Sequence, residues 1–291
     1  MDKGQHRMLV ETRVRRPEAI AEAATRRIRP KSLTGDNGKI MMIAADHPAR
    51  GALRAGDRPF AMADRVDLLD RICLALSRPG VNGVLGTPDI LEDLLLLGVL
   101  DGKVVIGSMN RGGLAGTAFE MDDRFTGYDA AAIATAGFEG GKMLLRIDAE
   151  DPATVVTLES CARAVSDLAD HKLLAMVEPF ISHRVDGRIR NELTPEAMIR
   201  AMTVSAGIGR TSAYTWLKVP VVAEMERVMA ATTLPSLILG GEVSTDPDAA
   251  FGAWRDALAL PTVLGLVVGR SLLFPPDDDV AAAVDTAVGL L

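Results

Sequence analysis

The chain has 291 residues, of which 48% are hydrophobic and 24% are charged, and its formal net charge is −7. This length fits either two domains or one α/β barrel of about 250 residues. The negative charge, with no basic stripe interleaved with aromatic residues, argues against a nucleic-acid partner. No apolar run approaches the about 20 residues of a membrane helix, and the charged N-terminal segment lacks a signal-peptide core. We therefore expect a cytoplasmic location and no membrane partner.

Apolar runs of strand length alternate along the chain with segments of helical periodicity. Before them, Arg16–Ile28 carries apolar residues at helical spacing and predicts a separate N-terminal helix. Eight strands are predicted, at Lys39–Asp46, Gly83–Gly86, Lys103–Ser108, Gly141–Asp148, Leu173–Glu178, Thr215–Val219, Pro235–Gly240 and Leu264–Gly269. Eight helices follow them, at Ala61–Leu76, Pro88–Leu97, Tyr128–Ala136, Pro152–Asp170, Thr194–Gly207, Val221–Ala231, Asp246–Leu258 and Val280–Leu290. The segments Met109–Gly127 and Pro179–Leu193 are predicted to be loops.

The predicted strands are continuous apolar runs, which is typical of parallel strands buried on both faces. Strands that alternate with helices favour parallel pairing, and eight such units in this length fit a (β/α)8 TIM barrel of the α/β class. A doubly wound open sheet is the alternative, but no G-x-G-x-x-G motif follows the first strand. We therefore expect residues 1–38 to form an arm and helix that pack on the barrel, and residues 39–291 to form the catalytic barrel.

Polar residues stand near the C-terminal ends of several predicted strands, where the active sites of such barrels lie. They are Asp46 after the first strand, Lys142 and Arg146 in the fourth, Glu178 in the fifth and Lys218 in the sixth. Burial disfavours the ammonium form of a lysine, and the resulting amine is a nucleophile towards carbonyl groups. The alternatives are a structural ion pair for each residue, or a lysine that reaches solvent at the strand end.

Glycine-rich turns follow the last two predicted strands. Gly240 and Gly241 come after the seventh strand, and Gly269 and Arg270 come after the eighth. At this place in such barrels, backbone amides and helix N-termini form a phosphate site, to which an arginine adds a fork of donors. The sequence therefore predicts a phosphate-binding site, with a plain tight turn as the alternative for the two consecutive glycines.

From about Lys39 to the C-terminus, the chain resembles the class I aldolase superfamily that includes deoxyribose-phosphate, archaeal-type fructose-bisphosphate and tagatose-bisphosphate aldolases. Six motifs carry the resemblance: AAD at Ala44–Asp46, GGKMLLRID at Gly140–Asp148, LLAMVE ending at Glu178, WLKV at Trp216–Val219, LILGGEVS at Leu237–Ser244 and LVVGRSLL at Leu266–Leu273. The second motif is closest to the tagatose-bisphosphate aldolase branch, which has a lysine-bearing strand ending in an aspartate there.

The resemblance implies a role for each polar residue at the strand ends. Lys218 matches the lysine that forms the Schiff base, and Lys142 matches the second lysine. Glu178 matches the proton-transferring carboxylate, and Asp46 matches the acid of the first strand. Arg270, with the glycine turn before it, matches the phosphate site.

Two positions depart from the family pattern. Where the tagatose branch has a Gln-Arg-Gly turn after the first-strand acid, this chain reads HPARG, with Arg50 as the candidate substrate-binding arginine. The archaeal-type enzyme has a tyrosine acid/base on the fourth strand, where Leu145 and Arg146 lie here, which argues against that variant. A further segment after the fifth strand contains Arg184, Arg188 and Arg190. It is interpreted either as a solvated loop or as a clamp on a second anionic group.

By this resemblance, the chain is expected to be a class I aldolase that cleaves a phosphorylated sugar or sugar acid. The expected product is dihydroxyacetone phosphate, from a ketose phosphate or a 5-dehydro-2-deoxyphosphogluconate. Neither metal nor separate cofactor is expected, because the lysine adduct is the electron sink and the four histidines form no H-x-H or H-x-x-x-H pair. The alternatives are an acetaldehyde-donor aldolase, a phosphate-binding isomerase or transferase, and a binding protein. The expected partners are the small phosphorylated substrate and further copies of the chain in a homo-oligomer.

Overall fold

The computed structural model describes residues 3–244 and 246–291. Its strands are β1 (Ile40–Ala44), β2 (Gly83–Gly86), β3 (Val104–Ser108), β4 (Gly140–Ile147), β5 (Leu174–Val185), β6 (Arg188–Asn191), β7 (Thr215–Val219), β8 (Ser236–Leu239) and β9 (Val263–Val268). The pairing order is β1, β2, β3, β4, β5, β7, β8 and β9, all parallel, and β9 pairs with β1 to close the cycle. The predicted eight-stranded TIM barrel is confirmed, and the open sheet is excluded.

Helices precede, connect and follow the strands of the barrel. They are α1 (Lys3–Arg15), α2 (Ala19–Arg26), α3 (Arg65–Ser77), α4 (Pro88–Leu96), α5 (Ala130–Thr135), α6 (Ala153–Asp170), α7 (Pro195–Ala206), α8 (Met225–Met229), α9 (Pro247–Leu258), α10 (Arg270–Leu273) and α11 (Val280–Val288). Across the described residues, none of these helices combines the length and apolar character that a membrane crossing requires.

The interior of the barrel follows the two-residue period of its strands. Ile40, Met42 and Ala44 belong to one buried apolar cluster with residues of other strands, whereas Met41 and Ile43 belong to the larger cluster under the helices. The same alternation places Leu174 and Met176 of β5 in the interior cluster. The next inward position on β1 and on β5 is a carboxylate. The polar site is therefore the last layer of the barrel interior, at the C-terminal ends of the strands.

The N-terminal arm packs at the opposite end of the barrel. The helix predicted at Arg16–Ile28 is present as the shorter α2, and α1, which precedes Pro17, was not predicted. Arg13 of α1 donates to Asp93 of α4 at 2.7 Å. Arg27, just after α2, donates at 2.8 Å to Glu139, which precedes β4. The arm thus contacts the end of the barrel that lies away from the polar layer.

The segment predicted as a loop at Pro179–Leu193 is instead a β-hairpin, and that prediction is wrong. Strand β5 continues beyond the barrel to Val185 and pairs with β6 in antiparallel fashion. Asp186 and Gly187 have φ values of 50° and 75°, the left-handed conformation that a tight hairpin turn requires. The hairpin therefore rises as an extension of one barrel strand.

Two short helices of the C-terminal half differ from the sequence prediction: α8 is shorter than expected, and α10 was not predicted. The helix predicted at Val221–Ala231 is reduced to the five residues of α8, because Glu224 adopts a left-handed conformation with φ of 53° just before it. The four-residue helix α10 begins at Arg270, directly after β9 and the capping residue Gly269. The chain therefore turns sharply at the end of β9, and Arg270 is held at that turn.

Candidate active site

Five charged side chains form a continuous chain across the mouth of the barrel, and their charges alternate in sign. Arg111 Nη2 donates to Asp46 Oδ2, and Lys142 Nζ donates to the same oxygen at 3.1 Å. Lys142 Nζ also lies 2.5 Å from Glu178 Oε2, and Lys218 Nζ donates to Glu178 Oε1 at 2.5 Å. All five residues are buried. The structure thus brings the four predicted catalytic residues together and adds Arg111, and we call this set the charge chain.

Arg111 is positioned by its neighbour in the loop after β3. The side chain of Asn110 donates to Leu144 O at 2.6 Å and accepts from Leu144 N at 2.7 Å. The amide of Asn110 therefore binds the backbone of β4 as a neighbouring strand would. It fixes the first residues of the loop against the barrel, and Arg111 points to Asp46. Ser108 Oγ, at the end of β3, donates to the same Asp46 Oδ2 at 3.1 Å.

Both carboxylates of the charge chain are held ionised. Burial by itself raises the pKa of Glu178, but the ammonium groups of Lys142 and Lys218 outweigh it and hold the pKa below its usual range. Burial likewise raises the pKa of Asp46, and the charges of Arg111 and Lys142 outweigh it, so that this pKa also lies well below its usual range. Both residues are therefore hydrogen-bond and proton acceptors at neutral pH.

Lys142 occupies the middle of the charge chain, and its pKa is lowered from the ordinary value. Burial is the largest influence on its pKa, and the guanidinium of Arg111 acts in the same direction. Asp46 and Glu178 oppose them, and the resulting pKa is about 8, against an ordinary value of 10.5. At pH 7 roughly a tenth of Lys142 is therefore a free amine, and this fraction rises to about half at pH 8. The amine contacts a carboxylate on each side.

His47 lies beside the charge chain and is neutral. Burial lowers the pKa of His47 to about 3, against the opposing charge of Asp46 and with the help of Arg270 and Lys218. Its Nδ1 is 3.8 Å from Asp46 Oδ1 and, among the described residues, is buried without a hydrogen-bond partner. In the described ranges, 3–244 and 246–291, no cluster of three or more His, Cys, Asp or Glu side chains is placed to hold a metal ion.

The residues predicted to bind phosphate lie together at the turns after β8 and β9. Arg270 Nη2 donates to Gly241 O at 3.3 Å, and Nη1 donates to Arg54 O at 3.5 Å. Gly241 follows Gly240 and has φ of 67°, a conformation that glycine adopts without strain. Gly269 caps the short helix that begins with Arg270. The guanidinium has two long contacts with carbonyl oxygens and a contact of 3.9 Å with the exposed carboxylate of Glu242. Its buried Nε is unpartnered within the described part of the chain.

Arg50 and Arg146 belong to a second cluster of buried charges. Arg146 binds Asp123 through two hydrogen bonds of 2.7 Å, and Arg50 Nη2 donates to Glu120 Oε1 at 2.9 Å. The other oxygen of Glu120 accepts from Gly116 N at 2.8 Å. The predicted substrate arginine Arg50 is therefore paired with a carboxylate of the loop after β3. That loop is tied to β4 and to the turn after β1.

The arginines of the β5–β6 hairpin lie apart from this buried cluster. Arg184, Arg188 and Arg190 are exposed, and Arg184 Nη2 donates to Ala118 O at 2.9 Å. The hairpin thus touches the loop after β3 through a backbone carbonyl.

Four buried polar residues of the mouth were missed by the sequence analysis: Ser108, Arg111, Glu120 and Asp123. Ser108 and Arg111 stand at and just after the end of β3, so the rule that places polar groups at strand ends was sufficient to find them. No comparable signal marks Glu120 and Asp123, because they lie in the middle of a 19-residue segment predicted only as a loop.

Comparison with known proteins assigns the family. Residues 38–288 match the protein family described as Cgl0159-like. The chain belongs to this family. The crystal structure of Cgl0159 from Corynebacterium glutamicum (Brevibacterium flavum) is similar to it at 52% sequence identity, with a TM-score of 0.97. The match covers 100% of this chain and 97% of that one. Comparison with curated proteins gave no significant match.

Members of other families share the barrel with this Cgl0159-like chain at much lower identity. A Schiff-base-forming fructose-1,6-bisphosphate aldolase is 18% identical, with a TM-score of 0.65 over 93% of this chain and 99% of that one. An archaeal fructose-1,6-bisphosphate aldolase, solved with its catalytic lysine bound to a carbinolamine intermediate, is 18% identical. Its TM-score is 0.66 over 93% of this chain and 98% of that one. At this identity the likeness establishes the shared fold alone.

Proposed function

We propose that the protein is a class I aldolase that cleaves a phosphorylated sugar or sugar acid through a Schiff base on Lys218. The observation that carries the proposal is the contact of Lys218 with Glu178, whose second oxygen contacts Lys142. A buried lysine beside a carboxylate and a second amine has both the nucleophile and the proton carriers that imine chemistry needs.

The charge chain offers a route for activating the nucleophile. Lys218 gives a proton to Glu178 Oε1, the protonated carboxyl group rotates so that this proton faces Lys142, and the free amine of Lys142 takes it up. After this transfer Lys218 is a neutral amine, Lys142 is an ammonium and Glu178 is again a carboxylate. Because the pKa of Lys142 is about 8, a neutral acceptor is available at physiological pH.

The free amine then adds to the ketone carbon of the substrate, and loss of water gives the iminium. In the cleavage step, the hydroxyl group on the carbon beyond the bond to be broken loses its proton to a carboxylate, for which Glu178 is the candidate. The electrons of that C–C bond form a double bond to the iminium carbon, and the electrons of the C=N double bond move to the nitrogen, which gives a neutral enamine. The former hydroxyl carbon leaves as an aldehyde. Protonation of the enamine and hydrolysis release the donor ketone and restore Lys218.

The proposed substrate is phosphorylated because of the turn that holds Arg270. The Nε of this guanidinium is buried and unpartnered, its contacts with two carbonyl oxygens are long, and the exposed carboxylate of Glu242 lies 3.9 Å away. A phosphate can therefore bind it more closely than its present partners do. The charges of Arg270 and Lys218 both act on His47, so the turn and the lysine flank the same imidazole. A phosphorylated three-carbon ketone fits this arrangement, which supports dihydroxyacetone phosphate as the product.

The shared fold supports the proposal without deciding it. The two aldolases that share the barrel are a Schiff-base-forming enzyme and an enzyme with a catalytic lysine bound to carbinolamine. The motifs WLKV and GGKMLLRID, which carry the aldolase resemblance, contain Lys218 and Lys142 respectively.

A cleavage panel tests the proposed activity and identifies the substrate. Candidate ketose phosphates and phosphorylated deoxy sugar acids are incubated with the enzyme, and release of dihydroxyacetone phosphate is followed with a coupled reductase. Cleavage is expected to disappear in Lys218→Met and to persist in Lys31→Met, a matched change at an exposed lysine. Equal activity of Lys218→Met and wild type would contradict the proposal.

A further inference from the structure

Arg111 enters the charge chain at the end opposite to Lys218. It lies in the loop after β3, and its side chain is 6% exposed. Its Nε donates to Ser108 Oγ at 3.1 Å and its Nη2 donates to Asp46 Oδ2. The guanidinium therefore binds Ser108 and Asp46, and Asp46, Lys142 and Glu178 separate it from Lys218.

The charge chain holds an odd number of charges. Arg111, Lys142 and Lys218 supply three cations, and Asp46 and Glu178 supply two anions. Buried charges are least costly when each is compensated, so this chain is neutral only when one cation gives up its proton. Arginine keeps its proton in proteins. The proton must therefore come from one of the two lysines.

Hydrogen bonding alone does not require an arginine at this position. Asp46 Oδ2 accepts from Ser108 Oγ and from Lys142 Nζ, each at 3.1 Å, in addition to the contact with Arg111. Two donors already satisfy this oxygen, so the third is not needed to compensate for its burial. What Arg111 adds beyond a hydrogen bond is a permanent positive charge.

We propose that Arg111 is a positioning residue that, by adding the odd cation to the charge chain, keeps one of its two lysines in the neutral form that attacks a carbonyl. The inference rests on the proposed function, because in that function a neutral amine attacks the carbonyl group of the substrate. Without Arg111, two lysines and two carboxylates balance each other, and loss of a lysine proton leaves an uncompensated buried anion. Removing the guanidinium charge is therefore expected to move lysine reactivity to higher pH.

The test measures lysine reactivity independently of the sugar substrate. Wild type and variants are treated with formaldehyde and cyanoborohydride from about pH 6 to 10. Methylation of the two peptides that contain Lys142 and Lys218 is quantified by mass spectrometry, and the midpoint is the pH at which the more reactive of the two is half methylated. Arg111→Gln keeps donor groups but loses the charge. The pH midpoint of lysine methylation is expected to rise in this variant by about one pH unit or more. Arg111→Lys restores a cation, but one that can itself lose its proton, so its midpoint is expected to lie between those of wild type and Arg111→Gln.

Two further variants separate charge from packing. Ser108→Ala removes a neutral donor from the same Asp46 oxygen, so its midpoint is expected to stay within a few tenths of a unit. Asp46→Asn removes an anion, and its midpoint is expected to fall. Circular dichroism checks that each variant folds. If Arg111→Gln does not fold, Arg111→Met replaces it. The direction of the shift in Asp46→Asn then provides a second test of whether charge controls the lysine midpoint.

The outcomes distinguish this inference from the proposed function. A midpoint in Arg111→Gln equal to wild type, or a rise in Asp46→Asn, would overturn the role of Arg111. Wild-type protein that shows the expected midpoints but forms no adduct with dihydroxyacetone phosphate or acetaldehyde would instead contradict the aldolase proposal.

Discussion

Lys142 and Lys218 bind opposite oxygens of one carboxylate, Oε2 and Oε1 of Glu178, each at 2.5 Å. The two amines are therefore coupled through a group that can accept a proton from one amine and pass it to the other. The contacts make Lys142 a proton acceptor as well as a neighbouring charge.

Glu178→Gln tests the coupling directly. The amide keeps the shape of the side chain and one hydrogen-bond acceptor, but it cannot carry a proton between the lysines. We expect kcat for sugar-phosphate cleavage to fall by about 10²–10⁴-fold, the range typical of a lost general acid–base group. Steady-state kinetics provide the measurement, with Glu159→Gln on the exposed face of α6 as the matched control. A kcat for Glu178→Gln within twofold of wild type would exclude Glu178 as the proton carrier.

Lys142 predicts a pH dependence of the reaction. Since its pKa is lowered to about 8, kcat/KM is expected to rise with pH as its ammonium loses a proton and to level off above about pH 8. Lys142→Met removes both the acceptor and one cation, so the rising limb is expected to move to higher pH. A pH profile of the variant that overlays wild type, with full activity, would leave Lys142 with a structural role only.

Lys142 also links folding stability to pH. Its pKa in the folded protein, about 8, lies below its ordinary value of 10.5, so between these values the unfolded chain binds more protons. The free energy of unfolding contributed by this site is therefore expected to increase as pH rises from about 8 to 10. Urea titrations of wild type and Lys142→Met measure it, and a difference between the two that stays constant over this range would contradict the assigned shift.

Arg270 is expected to act on substrate binding more than on Schiff-base formation. Arg270→Ala removes a charge-assisted fork, so KM for a phosphorylated substrate is expected to rise at least about tenfold, which corresponds to about 1.4 kcal/mol or more. Adduct formation at saturating donor is expected to persist. Arg54→Ala is the control, because Arg54 contacts Arg270 through its backbone carbonyl only. An unchanged KM for every phosphorylated substrate would show that the turn binds no phosphate and would favour an acetaldehyde donor.

The sequence was sufficient for those parts of the site that belong to strands. Lys142, Glu178 and Lys218 interrupt solid apolar runs, and a buried strand has few reasons to contain a charge except function or pairing. The contact between Arg111 and Asp46 spans 65 positions and depends on how the loop after β3 is fixed by Asn110, which no local pattern encodes. The hairpin beyond β5 had a local signal, Asp186-Gly187, that is typical of a tight turn.

Mass spectrometry of the trapped adduct tests the central claim most directly. The protein is incubated with dihydroxyacetone phosphate, reduced with borohydride, digested and sequenced. We predict one added donor per chain on the peptide that contains Lys218, with none there in Lys218→Met. Labelling at Lys142 or at an exposed lysine in its place, or no adduct with either dihydroxyacetone phosphate or acetaldehyde, would contradict the account.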